Sequence, residues 1–139
     1  MINEEAKKWL IKAINDYKSA QKLLSQSEEE IITDTACFHC QQAVEKMLKA
    51  FLINHDIEFG RTHSIEYLIK LCSKVDKEFE KLYEITEGLT EYAVDVRYPE
   101  EFYIPSVEEA KEALNAATKV KEFVLRKLKI DEKDLKPVN

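Results

Sequence analysis

Residues 36–50 read ACFHCQQAVEKMLKA: two cysteines three apart, a histidine between them, and Gln, Glu and Lys following inside an apolar stretch. Thiols at that spacing share one side of a helix and raise three chemistries: a metal site, haem attachment or a redox pair. Structural zinc needs four ligands, commonly as two spaced pairs, and Cys72, His39, His55 and His63 form no second close pair. Haem attachment needs C-x-x-C-H, but Gln41 follows Cys40. A thioredoxin-like pair needs a βαβ context, and no such pattern is present. Cys37 and Cys40 are therefore expected to be small apolar filler, with no metal and no cofactor. His39 and His63 are expected in structural or solvated roles.

A second set of polar residues is harder to dismiss. Gln42, Glu45, Lys46 and Lys49 follow the cysteines, and Glu45 precedes Lys49 in the i, i+4 order that favours an ion pair. Ala36, Cys40, Ala43, Met47 and Ala50 form one apolar stripe around them. Cys37, Val44, Leu48, Phe51 and Leu52 form another. Two adjoining stripes leave little circumference for solvent, so the polar groups need partners. The same breadth suits the central helix of a bundle or one face of a dimer. Further on, Arg97 ends the apolar run LTEYAVDVR, just before Pro99. Its guanidinium either bonds the last carbonyls of a helix or presents a planar fork to a phosphate. Asp95 is placed to pair with it or orient it. Tyr92, Tyr98 and Tyr103 stand nearby, suited to stacking on a base and equally to packing as core rings.

The elements that must position these residues read as helices. A first helix runs from about Asn3, its cap, to about Ser25, with Ala6, Leu10, Ala13, Tyr17, Ala20 and Leu24 at helical steps. A second starts near Thr33 or Asp34, either of which can cap it, and reaches about His55. Ser64 caps a third over IEYLIKLCSK. A fourth covers about Lys77 to Val96, with Gly88 a point where it bends or divides. Pro99 and Pro105 interrupt the helical run, and Ser106 with Glu109 forms a capping box for a last helix through Leu128. The expected fold is all-α, an up-and-down four- to five-helix bundle. Residues 1–130 form one domain and 131–139 a frayed C-terminal tail.

Composition agrees. Two glycines and three prolines among 139 residues, with 35% charged side chains, suit long helices with short connections. A chain of this length buries enough surface to need no disulfide. The net charge of −6 argues against sequence-blind nucleic-acid binding over a broad basic surface, and leaves room for a local site. Three cysteines, an acidic opening MINEEAKKWL and the absence of a long apolar run predict a soluble cytoplasmic protein that does not enter the membrane.

Taken in order, AKKWLIKAINDYKSAQKLL, ACFHCQQAVEKMLKAFLI, HSIEYLIKLC and LTEYAVDVRYP give a chain that resembles the HEPN domain family over about residues 3–128. The resemblance implies a helical bundle, commonly a two-fold homodimer, with a polar cleft near the dimer interface. It also implies a minimal nucleotidyltransferase as partner, in a toxin–antitoxin-like pair. Some members of the family are metal-independent endoribonucleases with an Arg, four to six residues, then His. Arg97 matches the arginine, but Phe102 and Tyr103 stand where that histidine belongs, and no histidine follows. The leading expectation is a protein that binds nucleotide or RNA phosphate through Arg97, Tyr98, Tyr103, Asp95, Glu45 and Lys49. The alternatives are a degenerate endoribonuclease using Arg97 and Tyr103, and a purely structural dimerisation module.

Overall fold

A computed structural model describes residues 2–93 and 103–135. Among these all regular structure is helical: α1 (Glu4–Leu24), α2 (Thr33–Asn54), α3 (Ile65–Val75), a short α4 (Leu82–Ile85) and α5 (Val107–Leu128). Three-residue-per-turn segments supplement them at Lys77–Lys81, Leu89–Tyr92 and Glu132–Asp134.

Helix α1 starts where its cap dictates. The Asn3 side chain accepts from the Ala6 amide at 2.7 Å. The same residue clamps the start of α1 to the end of α2: its amide donates to Asn54 Oδ1 at 2.8 Å, and its Nδ2 donates to the Ile53 carbonyl at 3.2 Å. Ser64 caps α3 by accepting from the Tyr67 amide, and Ser106 with Glu109 completes the capping box of α5.

Helix α2 departs from expectation at its first turn. Its cap position is Ile32, with no side-chain bond, whereas Thr33 or Asp34 was expected there. The buried Thr33 hydroxyl donates to the Pro105 carbonyl at 2.6 Å, tying the start of α2 to the approach to α5. A tertiary contact has taken the group that would have capped the helix.

The segment expected as a helix from Lys77 to Val96, bent or divided at Gly88, is, within its described part, three short pieces, with a further break before Leu82. Gly88 has φ +86°, a left-handed conformation that ends helical progress and is cheap only for glycine. Phe79, Leu82 and Leu89 are nonetheless buried, so the helix-like apolar spacing is satisfied by separate turns. Past α5, the described part of the expected tail, residues 131–135, packs on the body. Leu135 is buried among core residues, and Lys121 pairs with Glu132 at 2.8 Å.

Helix α2 is the central element, packed against α1, α3, α5 and the Leu89–Tyr92 turn. Its two apolar stripes are therefore covered within one chain. The core runs through Leu10, Met47, Leu48, Leu68, Ile69, Phe79 and Val120, all essentially inaccessible. Among the described residues, no helix is long and apolar enough to cross a membrane.

Candidate ligand-binding site

The polar residues of α2 gather around one carboxylate. Glu45 is buried, 3% exposed, on a helix otherwise sunk in the core. Lys49 Nζ donates to its Oε1 at 2.7 Å, one turn along the same helix. Gln41 Nε2 donates to Oε2 at 2.9 Å, and Gln42 Nε2 reaches the same atom at 3.4 Å. His63, from the loop ahead of α3, places Nδ1 at 3.2 and 3.1 Å from the two oxygens. Gln42 Nε2 also donates to Gln41 Oε1 at 2.7 Å, and Gln41 Nε2 to the His63 carbonyl at 3.3 Å. The network thus joins the middle of α2 to the start of α3.

Burial opposes the charge on Glu45, but hydrogen bonds from Lys49, Gln41 and His63 outweigh it and hold the carboxyl below its ordinary range. The carboxylate is therefore ionised and accepts from every neighbour. Lys49 is itself buried, its ammonium 5.5 Å from the Trp9 ring centre and 5.4 Å from that of Phe59. These rings and Glu45 compensate a charge removed from water. No buried side-chain polar atom among the described residues lacks a hydrogen bond. A parallel group lies on the α1–α2 seam, where Asp16 accepts from Lys46 at 2.6 Å and meets His39 Nδ1 at 2.8 Å.

Tyr103 lies elsewhere. It is over half exposed, and its hydroxyl donates to Glu109 in the first turn of α5. Tyr92 donates to the other Glu109 oxygen at 3.2 Å. The hydrogen bond to Glu109 raises the Tyr103 pKa, and burial raises that of Tyr92, so neither phenol is primed to accept a proton. The Cys37 thiol borders this group, and Glu45 lies eight residues, about 12 Å, further along α2. Glu45 and Lys49 are thus brought together and Tyr103 is not with them, while Asp95, Arg97 and Tyr98 lie outside the described residues. His63 and Gln41 join the network without having been singled out as ligand groups. Nothing in the local sequence couples His63 to Glu45, 18 residues away; the only signal was that polar groups on a doubly apolar helix require partners.

Beside Tyr92 a groove of about 430 Å³ carries Glu84, Glu87, Glu91, Glu109 and Glu112 on its walls. Such a lining disfavours phosphate. The cysteines are free and buried. Burial pushes the Cys37 thiol up to about 11 and the Cys40 thiol up to about 12, as befits apolar filler.

The family model of the HEPN domain matches residues 6–128. The chain belongs to the HEPN family. Among solved structures, TT1696 from Thermus thermophilus is similar at 28% identity, with 90% of this chain and 99% of that one covered and a TM-score of 0.70. ST0689, described as an archaeal HEPN homologue, shares the fold at 23% identity, with 94% and 98% covered and a TM-score of 0.66. No curated protein matches the chain. The HEPN bundle here is thus one in which α2 carries a buried, fully bonded polar network.

Proposed function

We propose that this HEPN protein binds the phosphate of a nucleotide or RNA in a cleft near a homodimer interface. In this reading it works in the cytoplasm beside a minimal nucleotidyltransferase, in a toxin–antitoxin-like pair. The observation that carries the reading is the Gln41–Glu45–Lys49 network, which runs from the core to the largely exposed His63. Apolar residues in those places would fill the core at less desolvation cost, and a fully bonded array instead fixes one surface group in one position.

Charge assigns the roles. Lys49 is compensated by Glu45 and Lys46 by Asp16, so neither brings an unshared cation to an anionic ligand. Arg97 supplies the planar fork for phosphate, with Asp95 orienting it and Tyr98 stacking on the base. Glu45 and Lys49 serve as scaffold. Tyr103, engaged with Glu109, contributes at the edge of the site. The acidic groove beside Tyr92 is not the phosphate site. Ile32 and Ile104, each 52% exposed, offer apolar surface for a second copy or a protein partner.

Titrating nucleoside triphosphates and short RNA into the wild type and Arg97→Ala tests this. Saturable binding by the wild type, weakened at least tenfold by the substitution, is expected. Negligible binding by both would remove the ligand. The saturation of Glu45 and Lys49 by internal partners specifically favours a second reading, a structural module that only associates with its partner. Tight nucleotidyltransferase binding without nucleotide or RNA affinity would establish it.

A further inference from the structure

The acidic groove beside Tyr92 takes no part in phosphate binding. One wall is the face of α5 that carries Glu109, Glu112, Ala113 and Ala116, at the three- and four-residue steps of a helix face. From Glu109 to Ala116 this wall runs about 10 Å along the helix axis. The opposite wall is α4 and the turn through Gly88, with Glu84 and Glu87. Between them Leu89, Ala113 and Ala116 close an apolar floor, bordered by the half-buried Ile85. Glu84, Glu87 and Glu112 are exposed, and their side chains meet no hydrogen-bond donor or cation among the described residues. No Lys, Arg or His lines the groove among those residues. Like charges are thus gathered around one concavity, which raises the energy of the free protein. A cationic occupant removes that repulsion.

Charge and shape together narrow the occupant. Nucleic acid and anionic lipid carry the wrong sign. A single metal ion is disfavoured by spacing, since no three Asp, Glu, His or Cys side chains among the described residues are grouped to ligate one. Lysine and arginine fit, because their aliphatic stems lie along an apolar floor while their charged heads reach carboxylates. Apolar surface also continues past the acidic rim: Tyr103, bonded to Glu109, and Ile104 beside it are each over half exposed. A small polycation leaves that surface uncovered, whereas a protein segment covers both. We propose that the groove docks a lysine- or arginine-bearing segment of a partner protein, its cations held by Glu84, Glu87 and Glu112. The inference is independent of phosphate binding, since it requires neither Arg97 nor a nucleotide.

The test is fluorescence anisotropy of a labelled peptide of repeated Lys-Leu-Arg units, titrated with the full chain. Saturable binding is expected, weakening as salt rises, with no binding of a counterpart in which Glu replaces every Lys and Arg. Exposed ion pairs contribute a factor of about two to five each, so the combined Glu84→Gln, Glu87→Gln and Glu112→Gln variant should bind about tenfold more weakly. Without a ligand, that variant should unfold at a higher urea concentration than the wild type, because the repulsion is gone. No peptide binding by the wild type, equal binding by both proteins, or a variant less stable than the wild type would overturn the proposal. Spermidine binding as tightly as the peptide would overturn it in favour of a small polycation. Wild-type self-association that the variant loses would overturn it in favour of a second copy.

Discussion

Replacing Glu45 by Ala removes the acceptor on which four side chains converge and leaves Lys49 charged in the core. The two groups are 2.7 Å apart, with side chains 9% and 4% exposed. Loss of one partner from a buried ion pair costs about 3–5 kcal/mol. Here the faces of Trp9 and Phe59 still attract the stranded ammonium, which places the effect near the lower end, about 3 kcal/mol. Lys49→Met should cost less, about 1–2 kcal/mol, because Gln41, Gln42 and His63 continue to satisfy the carboxylate. The double variant should cost clearly less than the two singles together, since removing both charges strands neither. Urea unfolding followed by far-ultraviolet circular dichroism reads all three values for a domain of this size. A Glu45→Ala loss below about 1 kcal/mol, or Lys49→Met costing more than Glu45→Ala, would refute the view that this carboxylate organises the network.

Glu45 also sets a direction with pH. Its folded pKa lies below the unfolded one, so its stabilisation is present above the ordinary carboxylate range and is lost as pH falls through the folded value. Acid titration of urea midpoints should therefore show a steeper loss for the wild type than for a Glu45→Gln variant; parallel curves would contradict this. Gly88→Ala meets open space but must adopt φ +86°, so it should destabilise by about 1–2 kcal/mol through backbone strain alone, measured by the same unfolding assay. No change would mean that the turn relaxes. The three buried thiols should react with a thiol reagent only after unfolding, and rapid labelling of native protein would contradict their assignment as filler.

Much of the fold was legible because its signals are local. Asn3, Ser64 and the Ser106–Glu109 box each announce a helix start within four residues, and each does so in the structure. The start of α2 was misread because Thr33 spends its hydroxyl on Pro105, 72 residues away. In the segment after Lys77 the division at Gly88 was legible, whereas the separation of Lys77–Lys81 from Leu82–Ile85 was not, because buried Phe79, Leu82 and Leu89 keep helical spacing across separate turns. Leu135, flanked by charged residues in the tail, has no period to betray that it is buried.

The site was legible in a different proportion. The i, i+4 order predicted the Glu45–Lys49 pair, and the double apolar stripe predicted that both would need partners. The same stripe also suggested a dimer face, yet α1, α3 and α5 cover it within one chain. Periodicity reports that a face is covered and not by which molecule. His63 was out of reach, because only the packing of α2 against the approach to α3 brings it to Glu45.

The most direct test of the account maps a short RNA onto isotope-labelled protein by nuclear magnetic resonance. It predicts shifts concentrated at Arg97, the Gln42 side-chain amide and the His63 ring, with the Lys127–Asp76 pair at the far end of α3 unmoved. Shifts confined to that far end, or none at saturating RNA, would contradict it.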